Sequence, residues 1–338
     1  MEKEVTIYDI AERLNVSATT VSRGLQDHPT ISKKTKKRIF DLVEELGYRS
    51  NQFAKNLRNR RTSTIGVIVG KLNSHFQSAA ISGIAHTANR NGYNLLISQS
   101  FEIFSQEAAG VKTMFDSRVD GLLVSLAYDT RDLQHFEDFF KKKIPVLFFD
   151  RVINHDQCIN IVIDNRKAAY RITRHLIDQG KKHIIHITGP LVQNVYIDRL
   201  NGYKDALAEA GIPYDPADVI INDLTLEDGK LAATAILQRP QLPDAVFAAN
   251  DSCAVGCMLT VKAAGLRIPQ DIAFAGFNND PVSQVIEPNL TTVQYDGYAM
   301  GQVAANHLLK CLGGDTDNVP TDTIILRSEL LIRGSSRE

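Results

Sequence analysis

Apolar and polar positions follow two rhythms along this chain, and the change falls near residue 64. Before it the rhythm is helical. Ile7, Ile10, Ala11 and Leu14 stand at i, i+3, i+4 and i+7, one apolar stripe of a helix. Thr6 precedes them with Asp9 three places on, the spacing of a capping box. Asn15-Val16-Ser17 interrupts the pattern, and Ser17 can cap a second helix in which Val21 and Leu25 point inward. Ala18, Thr19, Ser22 and Arg23 are left on its outer face. A third helix is predicted over residues 32–46, with Ile39, Val43 and Leu46 as its apolar face and Gly47 at its end.

From Thr64 the rhythm becomes that of buried strands alternating with amphipathic helices. Strands are predicted at 64–69, 94–99, 121–125 and 146–149, with helices at 77–91 and 105–117 between them. After a helix at 166–179 the series restarts, with strands at 184–187, 219–221, 245–248 and 272–275. Near-continuous apolar strands separated by helices predict an α/β fold with parallel sheets. Two such runs predict two lobes facing each other, with ligands beyond the carboxyl ends of the strands.

Length and charge sharpen this picture. At 338 residues the chain accommodates two domains or so, at roughly 150 residues each. The net charge is −1, but it is unevenly spread. Residues 1–61 hold 13 basic against 8 acidic residues (+5), and the remainder 25 against 31 (−6). A basic head on an acidic body points to a phosphate-bearing partner for the head alone. The polar start MEKEVTIYD lacks the apolar core of a signal peptide, and no run approaches the ~20 apolar residues of a membrane span. A cytoplasmic protein without membrane contact is expected. Cys158, Cys253, Cys257 and Cys311 make no metal-type pair, so reduced thiols and no metal are expected.

The outer face of the second helix is small and polar with one arginine. Such a face fits the DNA major groove, where arginine reaches base edges or phosphates. An ordinary helical hairpin has the same pattern. The basic run Lys33, Lys34, Lys36, Lys37, Arg38 on the third helix favours DNA. Residues 51–57 could form about two helical turns, too short to be stable alone. With Lys55, Arg58, Arg60 and Arg61 around it, Leu57 reads either as an incidental linker leucine or as a wedge pushed between base steps in the minor groove.

In the body, polar residues recur after the strands: Asn73 and Phe76, Ser98, Ser125, Asp150 and Arg151 in the first run, Asn250, Phe277 and Asn278 in the second. Arg199, placed at the start of a helix, and Tyr295 join them. Amides, carboxylates and aromatic faces suit a polyhydroxylated ring, although each residue singly is also an ordinary turn residue or cap. Asp150 next to Arg151 reads as a neutralised pair. No P-loop, GxGxxG, HExxH or GxSxG is present, and the chain is not expected to be an enzyme or to need a cofactor.

The motifs TIYDIAERLNVSATTVSRGL, ELGYRSNQFAKNLR, VDGLLVS, FFDR, HITGP, RLNGYKDAL, AANDSCAVG, IAFAGFNND and EPNLTTV, in this order, resemble the lactose-repressor/galactose-repressor (LacI/GalR) family of bacterial transcription regulators from end to end. The resemblance implies a helix-turn-helix, three-helix head at 1–49, a hinge helix and linker at 50–62, and a two-lobed, periplasmic-binding-protein-like body at 63–338. The first lobe would take about 63–164 and 295–322, the second about 165–294 and 323–338. It implies a homodimer on double-stranded operator DNA, governed by a small sugar-like effector. Ala18, Thr19 and Arg23 would read bases. Tyr8, Ser17, Thr20 and Ser22 would hold phosphates, with Thr6 and Asn51 in the same DNA-contact set. Leu57 would be the wedge, with Ala54 beside it. Asp150, Arg199, Asn250 and Asn278 match effector-contacting positions. The chain departs from the family at Gly24, Ser50, Asn278 and Tyr295. A solute-binding transport protein and a sugar-processing α/β enzyme with an accessory head are the rival readings.

Overall fold

The structure is a computed structural model and describes residues 5–48, 61–313 and 323–337. It divides into two compact units, Met1–Thr62 and Ser63–Glu338.

In the first unit, α1 (Ile7–Leu14), α2 (Ala18–Leu25) and α3 (Lys33–Glu45) enclose a small core of Ile10, Ala11, Val21, Ile39 and Leu42. Local chemistry sets each start. Thr6 and Asp9 form a capping box on α1, Ser17 accepts from the Thr20 N–H, and Ser32 accepts from the Thr35 N–H. Asn15, in the left-handed region at φ 52°, ends α1 and leaves the short break that turns the chain. Two side chains depart from the helical reading. On α3 the buried positions are Ile39 and Leu42, while Val43 and Leu46 are half-buried. Ala18, expected on the outer face, is half-buried against the core. Gly24 is buried, and the Ile39 Cδ1 atom lies 2.4 Å from where a Cβ would stand. The glycine thus admits the third helix to the second.

In the second unit, β1 (Thr64–Val69), β2 (Asn94–Gln99), β3 (Gly121–Val124), β4 (Val146–Phe149), β5 (Ile159–Ile163) and β11 (Thr323–Leu326) make one sheet in the order β11-β5-β4-β3-β1-β2. A second sheet, β7-β6-β8-β9, is made of β6 (Ile184–Thr188), β7 (Val219–Ile221), β8 (Ala245–Ala248) and β9 (Ala273–Ala275). Every pairing in both is parallel. β10 (Thr292–Gln294) and β12 (Glu329–Leu331) pair antiparallel by themselves. Strands such as β3, β4 and β8 are buried along their whole length, as sheets covered on both faces require.

The covering helices are α4 (His75–Arg90), α5 (Phe104–Asp116), α6 (Glu137–Lys141), α7 (Asn165–Asp178), α8 (Asn194–Glu209), α9 (Leu226–Leu237), α10 (Asp251–Ala263), α11 (Val282–Val285) and α12 (Gly297–Leu312). The sequence pattern does not announce β5, β10, β11 or β12. Asn160 interrupts the first. The partition of the tail needs one correction. Residues 323–326, assigned to the second lobe, pair with β5 in the first sheet. Among the described residues no helix is long and apolar enough to cross a membrane.

Several helices pack at glycine-controlled distances. A Cβ on Gly83 would meet the Tyr298 carbonyl oxygen at 2.1 Å, and one on Gly301 would meet that of Ala80 at 2.0 Å, so α4 and α12 touch backbone to backbone. Backbone cannot swing aside as a side-chain tip can. Gly301→Ala is therefore expected to destabilise the body by about 1–3 kcal/mol, read as a lower midpoint in urea.

His186 lies in the core of the second sheet, stacked between Tyr203 and Phe247. Burial pushes its pKa down to about 4, against the pull of its hydrogen bond with the Phe247 carbonyl. Being depressed, it favours the folded state fully above its unfolded value of about 6.5, and that share is lost as pH falls from there to about 4. The loss is on the order of 3 kcal/mol, at about 1.4 kcal/mol per pH unit. Urea titrations from pH 7 to pH 4 are expected to show it, and His186→Phe to flatten the profile.

Candidate functional site

In the head, the residues read from the pattern fall into two kinds. Thr19 and Arg23 are exposed on α2, and Tyr8 is 72% exposed on α1. Ser22 is half-buried beside them. The hydroxyls of Thr6, Ser17 and Thr20 are engaged locally. Thr6 Oγ1 donates to Asp9 Oδ2 at 2.6 Å, and Ser17 Oγ lies 2.9 Å from Thr20 Oγ1. These residues build the helix starts; an exposed hydroxyl can still offer its remaining lone pair or proton to a phosphate. Lys36 donates to the Asp27 carboxylate at 2.6 Å and to its carbonyl at 3.0 Å, pinning the loop that leaves α2. Asn51, Ala54 and Leu57 lie outside the described residues.

In the body, a cleft of about 480 Å³ opens at the carboxyl ends of the strands. Its lining includes Asn73, Phe76, Asp150, Arg151, Arg199, Asn250, Asn278 and Tyr295. These are the residues after β1, β4, β8, β9 and β10, together with one from α8. Three expected residues stand outside the lining. Ser98 is half-buried in β2. Ser125 is buried behind the wall, where its Oγ accepts from Arg151 Nε at 3.4 Å. Phe277 is fully buried beneath Arg199, whose guanidinium carbon is 3.5 Å from the ring centroid.

The cleft floor is a linked set of rings and charges. Phe76 stacks on Tyr295 with centroids 4.2 Å apart, and Tyr295 meets Phe277 edge-on at 6.3 Å. The Tyr295 hydroxyl donates to Asp150 Oδ1 at 2.8 Å. Arg199 donates from Nε to Asn165 Oδ1 at 3.0 Å and from Nη1 to the Ala249 carbonyl at 2.6 Å. Burial lowers its pKa, yet a guanidinium stays charged. Arg199 lies in the second turn of α8, which begins at Asn194 rather than beside it.

The pairing of Asp150 with Arg151 is overturned. Asp150 sits at φ 62°, in the left-handed region, and turns its carboxylate to Tyr295. Arg151 turns the other way. Its Nη1 donates to Glu102 Oε2 at 2.7 Å, and its guanidinium covers the Tyr128 ring at 4.8 Å.

Several lining residues escape the sequence pattern. Glu102, also left-handed at φ 63°, follows β2 and could have been sought at that edge. Tyr128 and Tyr196, whose hydroxyls are 3.1 Å apart, carry no signal, because a loop and a helix far apart in sequence bring them together. His75 Nδ1 lies 3.3 Å from Asp280 Oδ1. Burial raises the pKa of Asp280, and the nearby His75 acts against that. Asn250 caps α10, accepting from the Cys253 N–H at 2.8 Å and donating to the Leu224 carbonyl at 2.8 Å. Its amide is thus committed to the wall, with only a remaining edge open to a ligand.

A helix-turn-helix head in one chain with a two-sheet body that opens a polar cleft defines the class of ligand-responsive, DNA-binding transcription regulators. Residues 6–51 match the family of bacterial regulatory proteins, lacI family, and residues 62–331 match periplasmic binding proteins and sugar binding domain of LacI family. The chain belongs to the LacI family. It is 32% identical over 99% of its length to the HTH-type transcriptional repressor CytR of Escherichia coli K12, covering 97% of that protein. It is 31% identical over 92% of its length to catabolite control protein A of Priestia megaterium, covering 94% of it. Among solved structures, a lac repressor dimer bound to operator and the anti-inducer ONPF superposes with a TM-score of 0.85 at 26% identity, covering 99% of each chain. The transcriptional regulator CelR–cellobiose complex gives 0.74 at 27%, over 98% of this chain and 100% of that one.

The Tyr295–Asp150 bond generates a test. Tyr295→Phe keeps the ring stack and removes a hydroxyl donor from a buried carboxylate. It is expected to cost about 1–3 kcal/mol, measured by urea denaturation without ligand.

Proposed function

We propose that the protein is a cytoplasmic homodimeric repressor whose operator affinity is set by a small sugar-like effector in the cleft, and that it performs no catalysis. The observation that carries the reading is the cleft floor: Arg199 over Phe277, with Tyr295 between Phe76 and Asp150. Hydrogen-bonding charges beside flat aromatic faces are what a polyhydroxylated ring needs. Relatives named as repressors, and neighbours solved with operator and with cellobiose, support it.

In this reading Thr19, Arg23 and the half-buried Ala18 meet base edges. Tyr8, Ser17, Thr20 and Ser22 meet phosphates, with Thr6 and Asn51 in support. Leu57 enters the minor groove with Ala54 beside it. The dimer places two such heads on a near-palindromic site. Effector shifts operator affinity only by its differential affinity for the two arrangements of the lobes.

Selection from random-sequence DNA with the full-length protein is expected to yield a near-palindrome. On that site, fluorescence anisotropy is expected to show a loss of about 1–3 kcal/mol for Arg23→Ala, as removal of a base contact does. A steep fall of affinity with salt is also expected. Leu57→Ala is expected to weaken binding and reduce bending; unchanged affinity and bending would discard the wedge. A thermal-shift screen with free sugars, sugar acids and sugar phosphates tests the effector class.

A further inference from the structure

α8 starts without the cap its position calls for. Gln193 stands at the N-cap, where Ser, Thr, Asp or Asn would accept from a free N–H of the first turn, and its side chain makes no capping bond. It crosses instead to the loop after β3. Gln193 Nε2 donates to the Ala127 carbonyl at 2.7 Å and to the Thr130 carbonyl at 2.9 Å. The residue is buried and stands outside the cleft lining. A local rule is broken here in favour of a long-range contact, and such exceptions gather where function places them.

The loop that receives Gln193 is fixed from its far side. Glu107, fully buried on α5, accepts from the Ala127 N–H and from Thr130 Oγ1, the latter at 2.9 Å. Its Oε1 also lies 2.9 Å from His135 Nε2. With its amide and hydroxyl held by Glu107, the loop presents the Ala127 and Thr130 carbonyls to Gln193 as a preformed pair. The next residues of α8 reach the same way. Asn194 Nδ2 donates to the Asp150 carbonyl at 3.3 Å, and Asn194 Oδ1 accepts from the Val152 N–H at 3.0 Å. The Tyr196 hydroxyl donates to that of Tyr128 at 3.1 Å. Three side chains at the start of α8, which follows β6 of the second sheet, thus grip the loops after β3 and β4 of the first.

This grip is not saturated. Gln193 Oε1 is buried and has no hydrogen-bond partner among the described residues. Closing the seam makes two donations and strands one acceptor, whereas opening it lets water reach all of these groups. A stranded buried acceptor offsets much of what a hydrogen bond contributes, so the closed seam is favoured by a modest factor and stays reversible. Resting on the reading that effector acts on two arrangements of the lobes, we propose that Gln193 is a positioning residue. Its amide latches the loop after β3 to the start of α8 and sets the balance between closed and open arrangements without contacting the effector.

The test is native-state hydrogen exchange of the full-length protein, read by mass spectrometry on overlapping peptides that isolate Val152. The Val152 N–H is donated to Asn194, not to Gln193. Its exchange therefore reports separation of α8 from the loops of the first sheet, not loss of the substituted side chain. Gln193→Met keeps length and bulk and removes both donors. It is expected to speed exchange at Val152 by ~10-fold, about 1.4 kcal/mol, and to leave the amides of β6 and β8 at their parental rates. Gln193→Glu sets a carboxylate against the two carbonyls and is expected to speed it further. Unchanged exchange at Val152 in both variants overturns the latch. An increase shared equally by β6 and β8 overturns it as well, because the residue then only supports the fold. Operator anisotropy on the same variants separates the latch from the reading beneath it. Selective opening at Val152 with unchanged operator affinity keeps the latch and removes the reading that lobe arrangement governs DNA binding.

Discussion

The contact on which the body depends is the stack that runs from Phe76 through Tyr295 and Phe277 to Arg199. Phe76 follows β1 in the first sheet, Phe277 follows β9 in the second, and Tyr295 lies on the crossover after β10. Each ring is buried, so the floor of the cleft is also a joint between the sheets. A ligand on this floor therefore bears on the lobes' relative position. In the proposed reading, binding and response need no separate device, because the floor that would meet the effector is the surface the lobes share.

Charge placement follows from the same burial. Carboxylates and guanidinium groups in a confined cleft are costly unless partnered. Asp150 with Tyr295, Arg151 with Glu102 and Asp280 near His75 are three answers to that constraint. Left-handed backbone at Asp150 and Glu102 aims two of these carboxylates, and strain of this kind gathers where a site over-determines its residues. The head obeys a simpler rule. Its core is small, and its helix starts rest on three short side-chain caps.

How legible this was varies with the range of the interaction. The stripe Ile7, Ile10, Ala11, Leu14 and the caps Thr6 and Ser17 are local, and they stand as the pattern reads them. Asn73, Phe76, Asp150, Arg151, Asn250 and Asn278 could be sought as cleft residues because strands of a parallel sheet end at one edge. Ser98, Ser125 and Phe277 satisfy the same rule of position and miss the lining. Whether a side chain enters the cleft or turns behind its wall depends on packing that position alone does not carry.

The sequence by itself determined the two rhythms, the helix starts, the parallel α/β class and the family, because periodicity, capping and motif order are properties of neighbours along the chain. Tertiary structure alone decided that Arg151 answers Glu102 rather than Asp150, that Tyr128 meets Tyr196, and that residues 323–326 return to the first sheet. The physical reason is distance: these partners lie tens to more than a hundred residues apart, and only folding converts that separation into contacts of about 3 Å, where hydrogen bonds and ion pairs act.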